Sequence, residues 1–340
     1  MKLSSKHSDQ NQHQLPNTHY CTTKMSEFNL IAKYFTRNTK HTDLSVGDDA
    51  ALIRVAQGQQ LAISADMLVA GTHFFHDAPA YNIGWKSLAV NVSDMAAMGA
   101  LPKWATLAIA LPEVNETWLA EFCKGFFACA QAFDIDLIGG DTTKGPLTLS
   151  IQIMGEVPTG KAIQRSGAQI GDDIWVSGLI GSAALGLSHL QGKIALTEPT
   201  LSYCINALNA PTPRVALGLA LRGVANSCID ISDGLTADLS HILKASNLGA
   251  KLTLENINCD DYLRTHLNDS NIQQCILAGG DDYELLFTAP KLQRDCIHQL
   301  SSQLQLPLSL IGETTPQLDL IITHCQKILN ITKKGFDHFG

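Results

Sequence analysis

Seven short segments pair aspartate with glycine, serine or threonine: Gly47-Asp48-Asp49, Ser64-Ala65-Asp66, Ser93-Asp94, Gly139-Gly140-Asp141-Thr142-Thr143, Gly171-Asp172-Asp173, Asp230-Ile231-Ser232-Asp233-Gly234 and Gly279-Gly280-Asp281-Asp282. The short aspartate side chain holds its carboxylate close to a fixed backbone. Magnesium takes near-octahedral oxygen ligands, usually one or two carboxylates with waters and substrate phosphates. Several such segments brought together could hold several ions beside a polyphosphate. Taken singly, each is more simply a turn or a helix N-cap. Two gain from their surroundings, because Ile135-Asp136-Leu137-Ile138 leads into Gly139-Gly140-Asp141 and Cys228-Ile229-Asp230-Ile231 leads into Ser232-Asp233. In α/β folds, ligands gather where strands end.

The usual phosphate-binding devices are missing. The run from Gly181 to Gly186 continues as Leu187-Ser188, without the lysine of a P-loop, and Gly178, Gly181 and Gly186 do not have dinucleotide-fold spacing. No H-R-D or D-F-G set of a protein kinase occurs. Arg165 and Lys144 are the cations best placed near the aspartate segments, and a guanidinium can grip phosphate with two parallel hydrogen bonds. His73 and His76 flank Phe74 and Phe75 without a second ligand motif, so they read as ordinary histidines rather than metal ligands.

The elements that must position these residues are mixed. Strands are predicted at Leu61–Ser64, Trp104–Leu111, Ile135–Ile138, Leu147–Val157, Asp173–Ser177, Cys228–Ile231, Lys251–Leu254 and Glu284–Thr288. Trp118, Phe122, Phe126, Ala130 and Phe133 recur at helical spacing, so 118–133 reads as an amphipathic helix with an aromatic core stripe. A second helix is expected over 83–98, stopped by Gly99 and Pro102, and a third after Gly234, terminated by Gly249. The loop-like stretch 158–171 divides the chain. A disordered N-terminal extension is expected at 1–24, with Met25 as an alternative start, followed by α/β units at 25–160 and 161–340.

A chain of 340 residues, 45% hydrophobic, can bury the cores of two domains. A net charge of -8 and a pI near 5.8 provide no general attraction to nucleic acid or anionic membrane. No apolar run approaches membrane-spanning length. Nine cysteines, odd in number and without C-x-x-C, read as reduced thiols in a cytoplasm.

In order, the segments resemble the thiamine-monophosphate kinase family, of the superfamily that includes aminoimidazole-ribonucleotide synthetase and selenophosphate synthetase. The resemblance rests on 26–32, 46–50, 63–66, Gly71-Thr72-His73-Phe74, Asn91 to Gly99, 138–143, Arg165-Ser166-Gly167-Ala168, 230–235 and 279–285. It implies a two-domain α/β fold of the aminoimidazole-ribonucleotide synthetase type. The N-terminal domain would bind ATP and metal, and its strands would form a β-barrel with those of a second subunit in a homodimer. It also implies that Asp49, Ser64, Ala65, Asp66, Asp94, Asp141, Asp230 and Asp233 bind several magnesium ions. Gly140, Asp141, Arg165 and Ser232 would contact ATP, and His73, Asp281 and Phe336 would contact thiamine monophosphate. The family often has threonine at Ala65, usually glutamate at Asp281, and often an aromatic with a polar group at Phe336.

The implied reaction is direct in-line transfer of the ATP γ-phosphoryl group to the substrate phosphate, giving thiamine diphosphate and ADP, with no residue acting as general base. The alternatives are another ATP-dependent synthetase of the superfamily, or a non-catalytic nucleotide-binding regulatory module.

Overall fold

The computed structural model describes residues 26–330 and 335–336. The expected disordered extension at 1–24 and the alternative start at Met25 lie outside the described residues.

The N-terminal half is built on a four-stranded sheet ordered Gln59–Val69, Thr148–Pro158, Leu101–Leu111, Asp136–Lys144. The first three strands pair antiparallel with one another, and the last pairs parallel to Leu101–Leu111. A parallel pair needs a crossover. Helix Glu116–Ala132 provides it, capped by Asn115, whose side chain accepts a 3.0 Å bond from the Trp118 N–H. Its aromatic stripe is core as expected, with Trp118, Phe122 and Phe126 stacked at successive centroid distances of 5.2 and 6.2 Å.

Helix Ala80–Ala97 lies against this crossover helix, and two glycines set the approach. A Cβ on Gly84 would stand 2.0 Å from the Phe122 carbonyl oxygen, and one on Gly125 would stand 1.8 Å from that of Tyr81.

After residues 159–172, which form neither helix nor strand, comes a seven-stranded sheet. Its order is Lys327–Ile328, Leu320–His324, Gly249–Thr253, Leu308–Thr315, Asp173–Ser177, Leu285–Ala289, Ser227–Asp230. Alternation along strand Asp173–Ser177 separates two cores. Trp175 joins the cluster shared with the N-terminal helices, while Ile174 and Val176 face the cluster that includes Leu235, Leu239 and Ile242. The first cluster runs from Leu30 and Leu88 through to Phe287 and Ile297, so the apolar core is continuous across the expected boundary loop.

Two expectations need correction. The strand expected at 135–138 runs over Asp136–Lys144, so Gly139-Gly140-Asp141 lies inside a strand rather than after one. Gly140 makes this possible, with φ of 147° at a point where a Cβ would be 1.8 Å from the Leu107 carbonyl oxygen. The helix after Gly234 spans Leu235–Ser246 and ends on Asn247 at φ 55°, two residues before Gly249, which instead begins a strand. Asparagine tolerates the left-handed cap nearly as well as glycine. The N-terminal strands of the single chain form an open sheet, and the described residues contain no closed barrel.

Candidate active site

Asp66, Asp94, Asp230 and Asp233 line one cleft of about 990 Å³, together with Ala65, His73, Arg165, Ser232, Asp281 and Phe336. They come from both halves of the chain. Asp66 lies on strand Gln59–Val69, its N–H donating to the Asn91 amide oxygen at 3.0 Å, and Asp94 sits on the buried helix Ala80–Ala97. Ser64, also a metal candidate, donates its hydroxyl to Asp94 Oδ2 at 2.5 Å.

Asp230 ends strand Ser227–Asp230, at the edge of the second sheet. The next residues are shaped by a carboxylate that the sequence reading did not single out. Asp238 Oδ2 accepts the N–H groups of Ser232, Asp233 and Gly234, each at 3.1 Å.

The electrostatics of this group are one-sided. Burial, then the charges of Asp94 and Asp233, raise the Asp66 carboxyl to about 6. Burial is also the main cause at Asp230, raised to about 8, with Asp94, Asp238 and Asp66 adding to it and the Ser93 hydroxyl opposing. Asp94 is raised by burial, although Ser64 and the Arg165 guanidinium work against the shift. Carboxylates held this close, with one guanidinium near one of them, are a donor set that could hold cations.

The other wall is the segment 279–283, tied to 231–232 by backbone bonds from Asp281 to Ser232 (2.9 Å) and from Tyr283 to Ile231 (2.8 Å). Gly280 allows this approach, since a Cβ there would lie 2.2 Å from the Ser232 carbonyl oxygen. Asp281 occupies the left-handed region at φ 67° and takes an ion pair from Lys86 at 3.0 Å and a hydrogen bond from the Tyr283 hydroxyl at 3.1 Å. Lys86, almost fully buried, and Tyr283 both line the cleft. The sequence reading missed both, although a lysine inside the apolar run Ile83 to Met98 was a legible signal. Phe336 is fastened to the cleft by its N–H, which donates to the Asp233 carbonyl at 3.0 Å. His73 Nδ1 accepts the Val69 N–H at 2.9 Å, so the ring is set by its own turn.

The remaining candidates stand elsewhere. Asp49, Gly140 and Asp141 line a second pocket of about 620 Å³, with Phe28, Ile31 and Phe35 along its apolar side. Sheet register explains the separation. Asp66 is in the cross-strand row Asp66, Ile151, Leu107, Gly140, and Asp141 is in the adjacent row Met67, Ser150, Ala108, Asp141. Three strand spacings amount to about 14 Å. Adjacent rows face opposite sides of a sheet, and here Ile151 and Leu107 are buried while Met67 and Ala108 are exposed.

Lys144 lines neither pocket. The Gly171-Asp172-Asp173 segment is structural: Asp173 takes a two-pronged bond from Arg294 at 2.6 and 2.8 Å, and Asp172 accepts from Gln169 and Asn226. Asp282 caps the start of helix Ser182–Leu190 through the Gly181 N–H.

Comparison with known proteins supplies a separate observation. Residues 47–157 match the family described as AIR synthase related protein, N-terminal domain. The thiamine-monophosphate kinase of Salmonella typhimurium is 43% identical over 92% of this chain and 98% of its own. A crystal structure of thiamine-monophosphate kinase from Stenotrophomonas maltophilia K279a superposes with a TM-score of 0.79 at 44% identity, covering 89% of this chain and 96% of that one. A structure described as AaThiL complexed with AMPPCP and TMP superposes with a TM-score of 0.73 at 29% identity, covering 87% and 92%.

Proposed function

The chain belongs to the thiamine-monophosphate kinases, ATP-dependent phosphotransferases, and on that premise we propose that its acidic cleft carries out direct in-line transfer of the ATP γ-phosphoryl group to the phosphate of thiamine monophosphate. The products are thiamine diphosphate and ADP. The observation that carries this reading is the convergence of Asp66, Asp94, Asp230 and Asp233 in one cleft with Arg165, His73, Asp281 and Phe336.

The chemistry needs little from side chains as acids or bases. A phosphate monoester has a second pKa of about 6, so the attacking oxygen is already largely ionised near neutral pH. What must be overcome is repulsion between polyanions, and positioning with charge neutralisation is the remedy. Magnesium, when bound, supplies that neutralisation and prefers a shell of carboxylate and phosphate oxygens. The donor set fits it: all four cleft aspartates are hard oxygen ligands, and Asp66 and Asp230 are raised by burial and mutual repulsion. Arg165 and Ser232 bind ATP in this reading. His73, Asp281 and Phe336 bind the thiamine phosphate, and Lys86 neutralises and orients Asp281.

Asp49, Gly140 and Asp141 belong to the same site through a homodimer. The sheet face carrying Asp141 exposes Ile63 and Met67 at 55% and 57%, a surface suited to packing against a second copy as a barrel. Across it, the second pocket of one subunit would complete the acidic cleft of the other. The division into units at 25–160 and 161–340, and a cytoplasmic location, belong to this reading.

The test uses purified protein with ATP, magnesium and thiamine monophosphate. Equimolar thiamine diphosphate and ADP are expected. ADP without thiamine diphosphate, or neither product, overturns the assignment.

A further inference from the structure

At the far end of the seven-stranded sheet, a cluster remains that phosphoryl transfer does not use. The strands Leu320–His324 and Lys327–Ile328 form a hairpin whose two turn residues, Cys325 and Gln326, have φ of 48° and 63°. That turn holds Cys325 beside His324 and over Glu255, which lies in the short 3-10 helix Leu254–Asn256. One ligand atom from each of Glu255, His324 and Cys325 lies within 4.8 Å of the others. The hairpin strand is five places along the sheet from the strand that ends in Asp230, or about 24 Å from the cleft.

The hydrogen bonds around His324 point to a cation. Its Nε2 is 3.0 Å from Asn268 Oδ1, an acceptor, so Nε2 carries a proton. Its Nδ1 is 2.9 Å from Glu255 Oε1, an oxygen that also accepts the Cys325 N–H at 2.6 Å, and Cys325 Sγ stands 3.9 Å from Nδ1 and 3.8 Å from Nε2. A positive charge between Nδ1 and Oε1, whether a proton or a metal ion, fits this facing pair. The second oxygen, Glu255 Oε2, is buried without a hydrogen-bond partner. Fixing one ring nitrogen by a carbonyl so that the other is free to ligate is the usual outer arrangement of metal-binding histidines.

From these contacts we infer that Glu255, His324 and Cys325 form a binding site for a zinc-class divalent cation, separate from the magnesium cleft. One imidazole, one thiolate and one carboxylate, with water as fourth ligand, suit a borderline-soft tetrahedral ion. Bond lengths of about 2.0–2.3 Å put tetrahedral ligand atoms about 3.3–3.6 Å apart, so Nδ1 and Oε1 must open from 2.9 Å and Cys325 Sγ must turn in from 3.9 Å toward Nδ1. Ligation uses the thiolate of Cys325 and the unprotonated Nδ1 of His324. The bound ion would pin the hairpin to the Glu255 turn, just ahead of the tail that carries Phe336 into the cleft.

Cobalt(II), as a spectroscopic substitute for zinc, tests this in full-length protein carrying Cys21→Ser and Cys296→Ser. A sulfur-to-cobalt charge-transfer band is expected, saturating at one equivalent and bleached by one equivalent of zinc. It should vanish in Cys325→Asn, a variant that suits the left-handed turn position and so keeps the hairpin. Asn268→Ala should weaken binding by about 10–100-fold, the usual effect of removing an outer-shell partner. Absence of the band, or its persistence in Cys325→Asn, overturns the site. Neither readout depends on the kinase reaction.

Discussion

Asp66 is where the sequence and the structure agree most closely on chemistry. It was singled out by a tripeptide that turns alone would explain, yet it is buried against Asp94 and Asp233 in a cleft wall. Replacing it by asparagine keeps the shape and removes the charge. Turnover should fall at least about tenfold, as expected for lost metal-held positioning, while the melting temperature holds or rises. Wild-type turnover in a folded variant would remove the metal role. The same burial makes a pH prediction. The folded carboxyls of Asp66 and Asp230 stand at about 6 and about 8, against a usual value of 3.8. Between about pH 4 and pH 8 the folded, metal-free protein therefore binds more protons at these sites than the unfolded chain, and their contribution to stability is lost as pH rises. Melting curves in EDTA should show stability falling from pH 5 to pH 8, with magnesium restoring more at pH 8 than at pH 5. An EDTA stability that climbs across this window would contradict the assignment.

Two elements do the positioning, and in each the residues that set its place lie outside the aspartate motifs. The helix pair Ala80–Ala97 and Glu116–Ala132 is drawn together by Gly84 and Gly125, which sets the helix bearing Lys86, Asn91 and Asp94. Gly84→Ala forces a methyl group into the Phe122 carbonyl and should cost roughly 1–3 kcal/mol in urea unfolding, the range for an overpacked core. An unchanged midpoint would show that the helices can separate without loss. The second element is the loop 231–234, whose three N–H groups converge on Asp238 in the first turn of the following helix. Asp238→Ala leaves buried donors without an acceptor, at roughly 1–3 kcal/mol, and should reduce turnover along with stability. Full activity at low temperature, where the fold is retained, would limit Asp238 to a structural role. The sequence pointed to Asp230 and Asp233 but not to Asp238, because a capping carboxylate inside a helix has the same local pattern as a solvated one.

At the scale of the whole molecule, the acidic set is split between two pockets, and the proposed homodimer rejoins it. Mixing makes the distinction measurable. Asp66→Asn and Asp141→Asn proteins, each nearly inactive, would form heterodimers in which one cleft carries both substitutions and the other carries none. After exchange of subunits, activity should recover to about a quarter of wild type, because half the dimers are mixed and each has one intact site. No recovery after verified exchange would place both aspartates in the service of a single subunit. Substituting lysine at Ile63 and Met67 should yield monomers by sedimentation with loss of turnover.

The aspartate segments, the crossover helix with its aromatic stripe, and most strands were legible in the sequence because period and turn chemistry are local. Strands 308–315 and 320–324 were not. Alternating weakly apolar residues such as those of Leu308–Thr315 take their identity from the neighbours they pair with, here Asp173–Ser177 and Gly249–Thr253. The sequence alone determined which aspartate segments are candidates for a site that holds phosphate and cations. Only the tertiary structure decided which aspartates share a cleft. Sheet register and strand alternation set Asp66 and Asp141 on opposite faces about 14 Å apart, a relation between distant strands that no spacing along the chain encodes.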